Sequence, residues 1–116
     1  MIKMYQELYS FESRKKECNT IRVKYPHRIP CIIQLDPNSK LIYHSKIKYL
    51  VPEDSNVSDI IHVIRKSIKL NYYQALFFRI GKETLCGSTI ISSLYNKYKE
   101  KDGFLYIYYT EENTFG

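Results

Sequence analysis

Between Asn56 and Ile68 the apolar residues fall at Val57, Ile60, Ile61, Ile64 and Ile68. That i, i+3, i+4, i+7 spacing places them on one side of an α-helix and leaves the other side polar. A helix with a single apolar stripe is stable only when another layer covers the stripe. Any fold this chain adopts must therefore supply that layer. Ser55 or Asn56 can cap the start of the helix, and Arg65, Lys66 and Lys69 suit the negative end of its dipole.

The rest of the chain reads as short elements around this helix. Residues 4–9 make a helical turn with Met4, Tyr5 and Leu8 on one side. Ser10 is a good N-cap for a second helix over 11–24, whose apolar face is thin: Phe11, Cys18, Ile21 and Tyr25. Pro26 ends it. Residues 28–35 are β-like, and Pro30 marks either an edge strand or a strand start. Asp36-Pro37-Asn38-Ser39 is a turn, followed by an irregular connector over 40–46. Over 46–51 Lys46, Lys48 and Leu50 alternate with Ile47, Tyr49 and Val51, and Pro52 closes the strand. A short strand over 76–80 runs into a Gly81-Lys82 turn. Ser88 opens a last helix with Ile91, Leu94, Tyr95 and Tyr98 on one face. After the Lys101-Asp102-Gly103 turn, a strand over 104–110 puts Leu105, Ile107 and Tyr109 on one face and Phe104, Tyr106 and Tyr108 on the other.

The order is helix, helix, strand, strand, helix, strand, helix, strand. Its last six elements follow the order of a β-grasp, the ubiquitin-like fold. The expected class is α+β: a four-stranded mixed sheet with two extra N-terminal helices. The expected organisation is one domain over 1–116, with a helical extension over 1–25, a β-grasp core over 26–110 and a flexible tail over 111–116. Composition agrees. The chain has 116 residues, 44% hydrophobic and 26% charged, which suits one globular core and excludes disorder. The longest apolar run, over 104–109, is too short to span a bilayer. Lys3, Glu7, Glu12 and Arg14 interrupt the first sixteen residues, so no secretory signal is expected and the chain reads as soluble and intracellular.

Cys18, Cys31 and Cys86 are odd in number and show no paired spacing, so neither a disulfide framework nor a metal site is expected. Residues 1–28 carry a net +4, residues 29–70 a net +2, and residues 71–116 are neutral. An N-terminal positive field favours acidic peptides, anionic lipid or nucleic acid through steering. No nucleic-acid reader motif accompanies it.

Several segments carry a family resemblance in order along the whole chain: Phe11-Glu12, Ile21-Arg22, Lys24-Tyr25-Pro26, Arg28-Ile29-Pro30, Lys48-Tyr49-Leu50-Val51-Pro52, Ile64-Arg65-Lys66, Ala75-Leu76-Phe77-Phe78, Leu94-Tyr95, Phe104-Leu105-Tyr106-Ile107 and Phe115-Gly116. The chain resembles the autophagy-related ubiquitin-like modifiers, most closely their GABA-receptor-associated-protein branch. The resemblance implies a protein that is not an enzyme and needs no cofactor. Gly116 would be activated, passed as a thioester to a conjugating enzyme and joined to phosphatidylethanolamine. A deconjugating cysteine protease would complete the cycle. Glycine suits that role, because an unhindered carbonyl threads narrow enzyme clefts. The lipid-bound form would recruit receptor proteins bearing an aromatic-x-x-aliphatic motif to autophagosomal or vesicular membranes.

The strand over 46–51 looks like an exposed sheet edge, to which an extended peptide can add as a further strand. The resemblance implies an aromatic-accepting pocket at Glu17, Ile21, Pro30, Ile32, Lys48, Leu50 and Phe104. It implies an aliphatic-accepting pocket at Tyr49, Val51, Pro52, Ile60, Val63 and Ile64. Arg28, Lys46 and Lys48 would meet acidic residues beside the motif. Ser55, Ile60 and Ser67 stand where relatives usually have Leu, Phe and Arg, so a shallower and more polar aliphatic pocket is expected. Arg79 stands where an aromatic is common, which puts a second docking surface near Phe77 in doubt. Ile, Lys, Tyr and Asn make up 46 of 116 residues, a bias of AT-rich coding that fits a protist parasite. In an apicomplexan, the plastid membrane would be a further destination. The competing readings are a basic nucleic-acid- or cytoskeleton-binding module without conjugation, and a small cysteine-based enzyme.

Overall fold

A computed structural model describes residues 4–39, 46–68, 70–71 and 74–111. Residues 40–45 of the expected connector over 40–46, and residues 112–116 of the expected tail over 111–116, lie outside the described residues. The 57–68 stripe forms a helix, and a mixed five-stranded sheet covers it. In chain order the elements are α1 (Tyr5–Leu8), α2 (Phe11–Lys24), β1 (Arg28–Leu35), β2 (Lys48–Pro52), α3 (Val57–Ile68), β3 (Phe77–Ile80), β4 (Glu83–Thr84), α4 (Ile91–Tyr98) and β5 (Leu105–Thr110). The strands lie in the order β2-β1-β5-β3-β4, with β1 and β5 parallel and the other pairs antiparallel.

The fifth strand is the departure from the expected four. It is the two-residue segment Glu83–Thr84, which folds back on β3 through a turn where Gly81 has φ +57°. Two exposed polar residues carry no alternation, so nothing in the sequence marks them as a strand. Strand β1 is also not an edge: it lies between β2 and β5. Pro30 is tolerated for a local reason. Ile33 donates to Ile47 at 2.8 Å, so by antiparallel alternation Pro30 faces away from the β2 ladder. Pairing with β5 begins only at Cys31, so the missing N–H breaks no rung.

Two apolar layers flank the sheet. Ile29, Cys31, Ile33, Val51, Leu105, Ile107 and Tyr109 pack on Val57, Ile60 and Ile64 of α3 and on Ile91, Leu94 and Tyr95 of α4. On the opposite face Ile32, Phe104 and Tyr106 pack under Tyr5 and Cys18. Phe104 and Leu105 thus face opposite ways, as the alternation predicts. Asn56 is the cap of α3: its Oδ1 accepts from the Asp59 amide, and Asp59 Oδ2 accepts from the Asn56 amide, each at 3.0 Å. Helix α4 starts at Ile91 rather than at Ser88. Its first amides donate to the Ser55 and Glu53 carbonyls at 2.8 and 3.2 Å, so the loop before α3 replaces a side-chain cap.

Helix α2 docks differently from its apolar pattern. Phe11 and Tyr25 are exposed, and the Phe11 ring lies under the Arg14 and Lys15 cations. The face turned to the sheet is instead Arg14, Glu17, Cys18 and Ile21, at i, i+3, i+4 and i+7, with Cys18 buried and the other three half-buried. Of residues 4, 5 and 8, only Tyr5 is buried; Leu8 is exposed. Arg14 reaches Asp102 in the α4–β5 turn, Nη1 to Oδ2, at 2.5 Å. Asp102 is fully buried, and it also accepts from Tyr106 Oη at 2.5 Å and from the Phe104 amide at 2.9 Å. Gly103 beside it has φ +96°, and a Cβ there would stand 2.6 Å from Cys18 Sγ, so only glycine lets α2 come this close. Removing one member of a buried ion pair strands the other charge. Asp102→Ala is therefore expected to lose about 3 kcal/mol of stability, and Tyr106→Phe about 1 kcal/mol. Urea denaturation checks both values. Equal, small losses would place the docking of α2 elsewhere.

Candidate functional site

Strand β2 has β1 on one side and is an edge of the sheet, as expected. The register makes Ile47, Tyr49 and Val51 the residues that bond to β1. The amides and carbonyls of Lys48 and Leu50 therefore point outward. Arg28 Nη1 donates to the Leu50 carbonyl at 3.3 Å. An edge of this kind offers one row of backbone donors and acceptors to an added strand.

The register also sets which side chains flank that row. Pro30 lies opposite Leu50 and Ile32 opposite Lys48, so all four share the face toward α2. Glu17 and Ile21 come from one turn of α2 and are half-buried. Lys48 Nζ meets Glu17 Oε2 at 2.7 Å and ties the edge strand to the helix. At the far end of this shallow groove Arg22 Nη1 donates to the Arg28 carbonyl at 2.7 Å. Glu17, Ile21, Lys48 and Leu50 thus form the rim. Pro30, Ile32 and Phe104 are fully buried and make the floor.

The residues expected for the aliphatic pocket divide in the same way. Val51, Ile60 and Ile64 belong to the core between sheet and α3. Tyr49 is half-buried, and Pro52 and Val63 are exposed at the surface. Ile60 is buried, so its difference from Phe alters core volume beneath the surface. Ser67 Oγ donates to the Val63 carbonyl at 3.1 Å, and the Ser55 carbonyl accepts from α4. Lys46 is exposed, with its ammonium 4.8 Å from the centre of the Tyr49 ring.

Tyr5 was not among the expected site residues. Its hydroxyl donates to Glu17 Oε1 at 2.5 Å, its ring meets Phe104 edge-on at 5.7 Å, and Lys48 Nζ lies 5.6 Å from its centroid. Burial, reinforced by Glu17, pushes the Tyr5 phenol well above its ordinary value, so it stays a donor. Burial opposes ionisation of Glu17, but hydrogen bonds from Lys48 and Tyr5 outweigh it and hold the carboxyl below the usual glutamate range. A lone Tyr in a four-residue helix gives no periodic signal, so only the fold exposes this role.

Elsewhere Arg79 forms an ion pair with the buried Asp36 at 2.8 Å and lies 4.6 Å from the centre of the Tyr108 ring. The position where an aromatic is common is thus a charged pair here. Cys31 and Cys18 are buried, and burial pushes the Cys18 thiol up to about 11. Cys86 is exposed, with its thiol lowered by hydrogen bonding to Ser88. Among the described residues no three His, Cys, Asp or Glu side chains gather as metal ligands, and no helix is long and apolar enough to cross a membrane.

The architecture is that of a ubiquitin-like protein: an α+β grasp with two helices laid across the back of its sheet. The family model described as "Autophagy protein Atg8 ubiquitin like" matches residues 13–116. The chain is 43% identical to Autophagy-related protein 8 of Schizosaccharomyces pombe over 116 residues, covering all of this chain and 96% of that protein. It is 41% identical to Autophagy-related protein 8h of Arabidopsis thaliana, covering 98% of that protein. The crystal structure of Trypanosoma brucei ATG8 superposes with a TM-score of 0.91 at 35% identity, over the full length of both chains. The chain belongs to the Atg8 family of ubiquitin-like autophagy proteins. Nothing in these relatives supports a plastid destination.

The division into rim and floor has a measurable consequence. Phe104→Ala empties a fully buried site and is expected to lose about 3 to 5 kcal/mol. Leu50→Ala, at a half-exposed rim position, is expected to lose about 1 kcal/mol or less. Chemical denaturation distinguishes them, and similar losses would mean that Phe104 is not the floor.

Proposed function

We propose that this chain is a modifier joined through Gly116 to phosphatidylethanolamine, and that its groove recruits proteins bearing aromatic-x-x-aliphatic motifs. On this reading it is not an enzyme. Its partners are the activating and conjugating enzymes of the autophagy modifier pathway, a deconjugating cysteine protease, motif-bearing receptors and the lipid membrane. It works in the cytoplasm and, once lipidated, on autophagosomal or vesicular membranes. The division into helical extension, β-grasp core and conjugating tail goes with this reading. Family membership supports the conjugation. One observation carries the recruitment: the outward row of Lys48 and Leu50 on an unpaired sheet edge, beside a rim of apolar and charged side chains. The backbone would hold an extended peptide, and the rim would select its side chains. Arg28, Lys46 and Lys48 suit acidic residues beside the motif.

Deletion of Gly116, or Gly116→Ala, is expected to leave the fold intact and to remove or impair thioester and lipid adducts. Mass spectrometry after incubation with purified activating and conjugating enzymes reads this directly, and full lipidation of the deletion variant would overturn conjugation at Gly116. Leu50→Ala is expected to weaken a motif peptide roughly tenfold, as loss of one rim anchor does. Unchanged calorimetric affinity in the folded variant would move the recruiting site away from this groove.

A further inference from the structure

Strands β1 and β5 run parallel, so both leave the sheet at the same end. There the 36–39 turn lies beside the last residues of β5, and the Asp36 amide donates to the Tyr109 carbonyl at 2.8 Å. Asp36 shapes that turn from a buried position. Its Oδ1 accepts from the Asn38 amide and its carbonyl from the Ser39 amide, each at 2.9 Å. Arg79 braces it from β3: Nε and Nη2 reach Asp36 Oδ2 at 3.1 and 2.8 Å, and Nη1 donates to the Gly81 carbonyl at 2.7 Å. The turn ends on Ser39, whose hydroxyl donates to Glu111 Oε2. The buried Thr110 donates its own hydroxyl to the same oxygen at 3.2 Å. Glu111 is the first residue beyond β5, and its carboxylate is thus tied both to the turn and to the strand end.

Gly116 follows Glu111 by five residues, a length of chain that reaches at most about 17 Å. Wherever residues 112–116 go, they start from this anchor. A fixed origin lowers the entropy lost when a tether is ordered in an enzyme cleft, because fewer residues remain to be immobilised. We propose that Ser39 and Glu111 form a clip that sets where the conjugating tail leaves the sheet, and that both are positioning residues for activation of Gly116. This rests on the conjugation reading above. Both residues act through the path of the chain rather than on the reacting carbonyl. The charge of Arg79, where an aromatic is common, then has a role: it stiffens the turn that presents Ser39.

The test uses the full chain with purified activating and conjugating enzymes and follows initial rates of thioester formation against chain concentration. Ser39→Ala and Glu111→Ala are each expected to raise KM roughly three- to tenfold, as loss of a half-exposed hydrogen bond to a charged acceptor does, and to leave kcat within about twofold. The double variant should be no worse than either single one, because both changes remove the same bond. Ser39→Thr keeps the hydroxyl and should restore the wild-type KM. Circular dichroism checks the fold of each variant. A merely structural role would give additive losses or no rescue by threonine, and either result would overturn the proposal. So would a fall in kcat alone, or a lower KM in Ser39→Ala, which would make the contact a brake on conjugation. Wild-type adducts at Gly116 with unchanged KM in the folded variants would remove the clip and leave the conjugation reading standing. If the wild type itself forms no adduct, that reading fails and takes this inference with it.

Discussion

A single buried carboxylate joins the helical extension to the grasp. Asp102 is sealed from water and accepts from Arg14, from Tyr106 and from the Phe104 amide. Those donors come from α2, from β5 and from the turn between α4 and β5. An unpaired charge in that place would be strongly unfavourable, so the helix must sit where Arg14 can reach it. Gly103 and Cys18 fix the distance of approach. Once α2 lies there, Glu17 and Ile21 stand over the edge of the sheet, and the groove beside β2 has its second wall.

This explains which features could be read from the sequence. The α3 stripe, the Ser10 cap and the opposite faces of Phe104 and Leu105 follow from periodicity, and they appear as expected. The edge position of β2 is likewise found. The docking face of α2 was hidden because two of its four residues, Arg14 and Glu17, are charged and follow no apolar rule. Phe11 and Tyr25 fit the stripe by spacing but lie in the first turn and at the end of the helix, away from Cys18. Strand β4 was hidden because two polar residues carry no pattern. The start of α4 was hidden because its cap is the loop over 53–55, a contact distant in sequence.

The candidate site was legible chiefly through the family resemblance, and the structure sorts its residues by depth. Glu17, Ile21, Lys48 and Leu50 remain at the surface, while Pro30, Ile32 and Phe104 lie beneath them. Residue type alone could not separate rim from floor, since Leu50 and Ile32 differ only in whether a layer covers them. The antiparallel register decides it: the residues flanking the outward amides share one face, and α2 covers only part of that face. On the same face, at the β3 end of the sheet, the paired charges of Arg79 and Asp36 stand where an aromatic surface was in doubt. The groove by β2 is thereby the surface that combines an open backbone row with apolar side chains.

The central claim is that this row receives an added strand. Amide hydrogen exchange, followed by NMR with and without a motif peptide, tests it residue by residue. Tyr49 and Val51, bonded to β1, should be protected in the free protein, while Lys48 and Leu50 should exchange freely. On peptide binding the account predicts that Lys48 and Leu50 become protected. Binding that leaves those two amides exchanging freely, with new protection elsewhere, would contradict it.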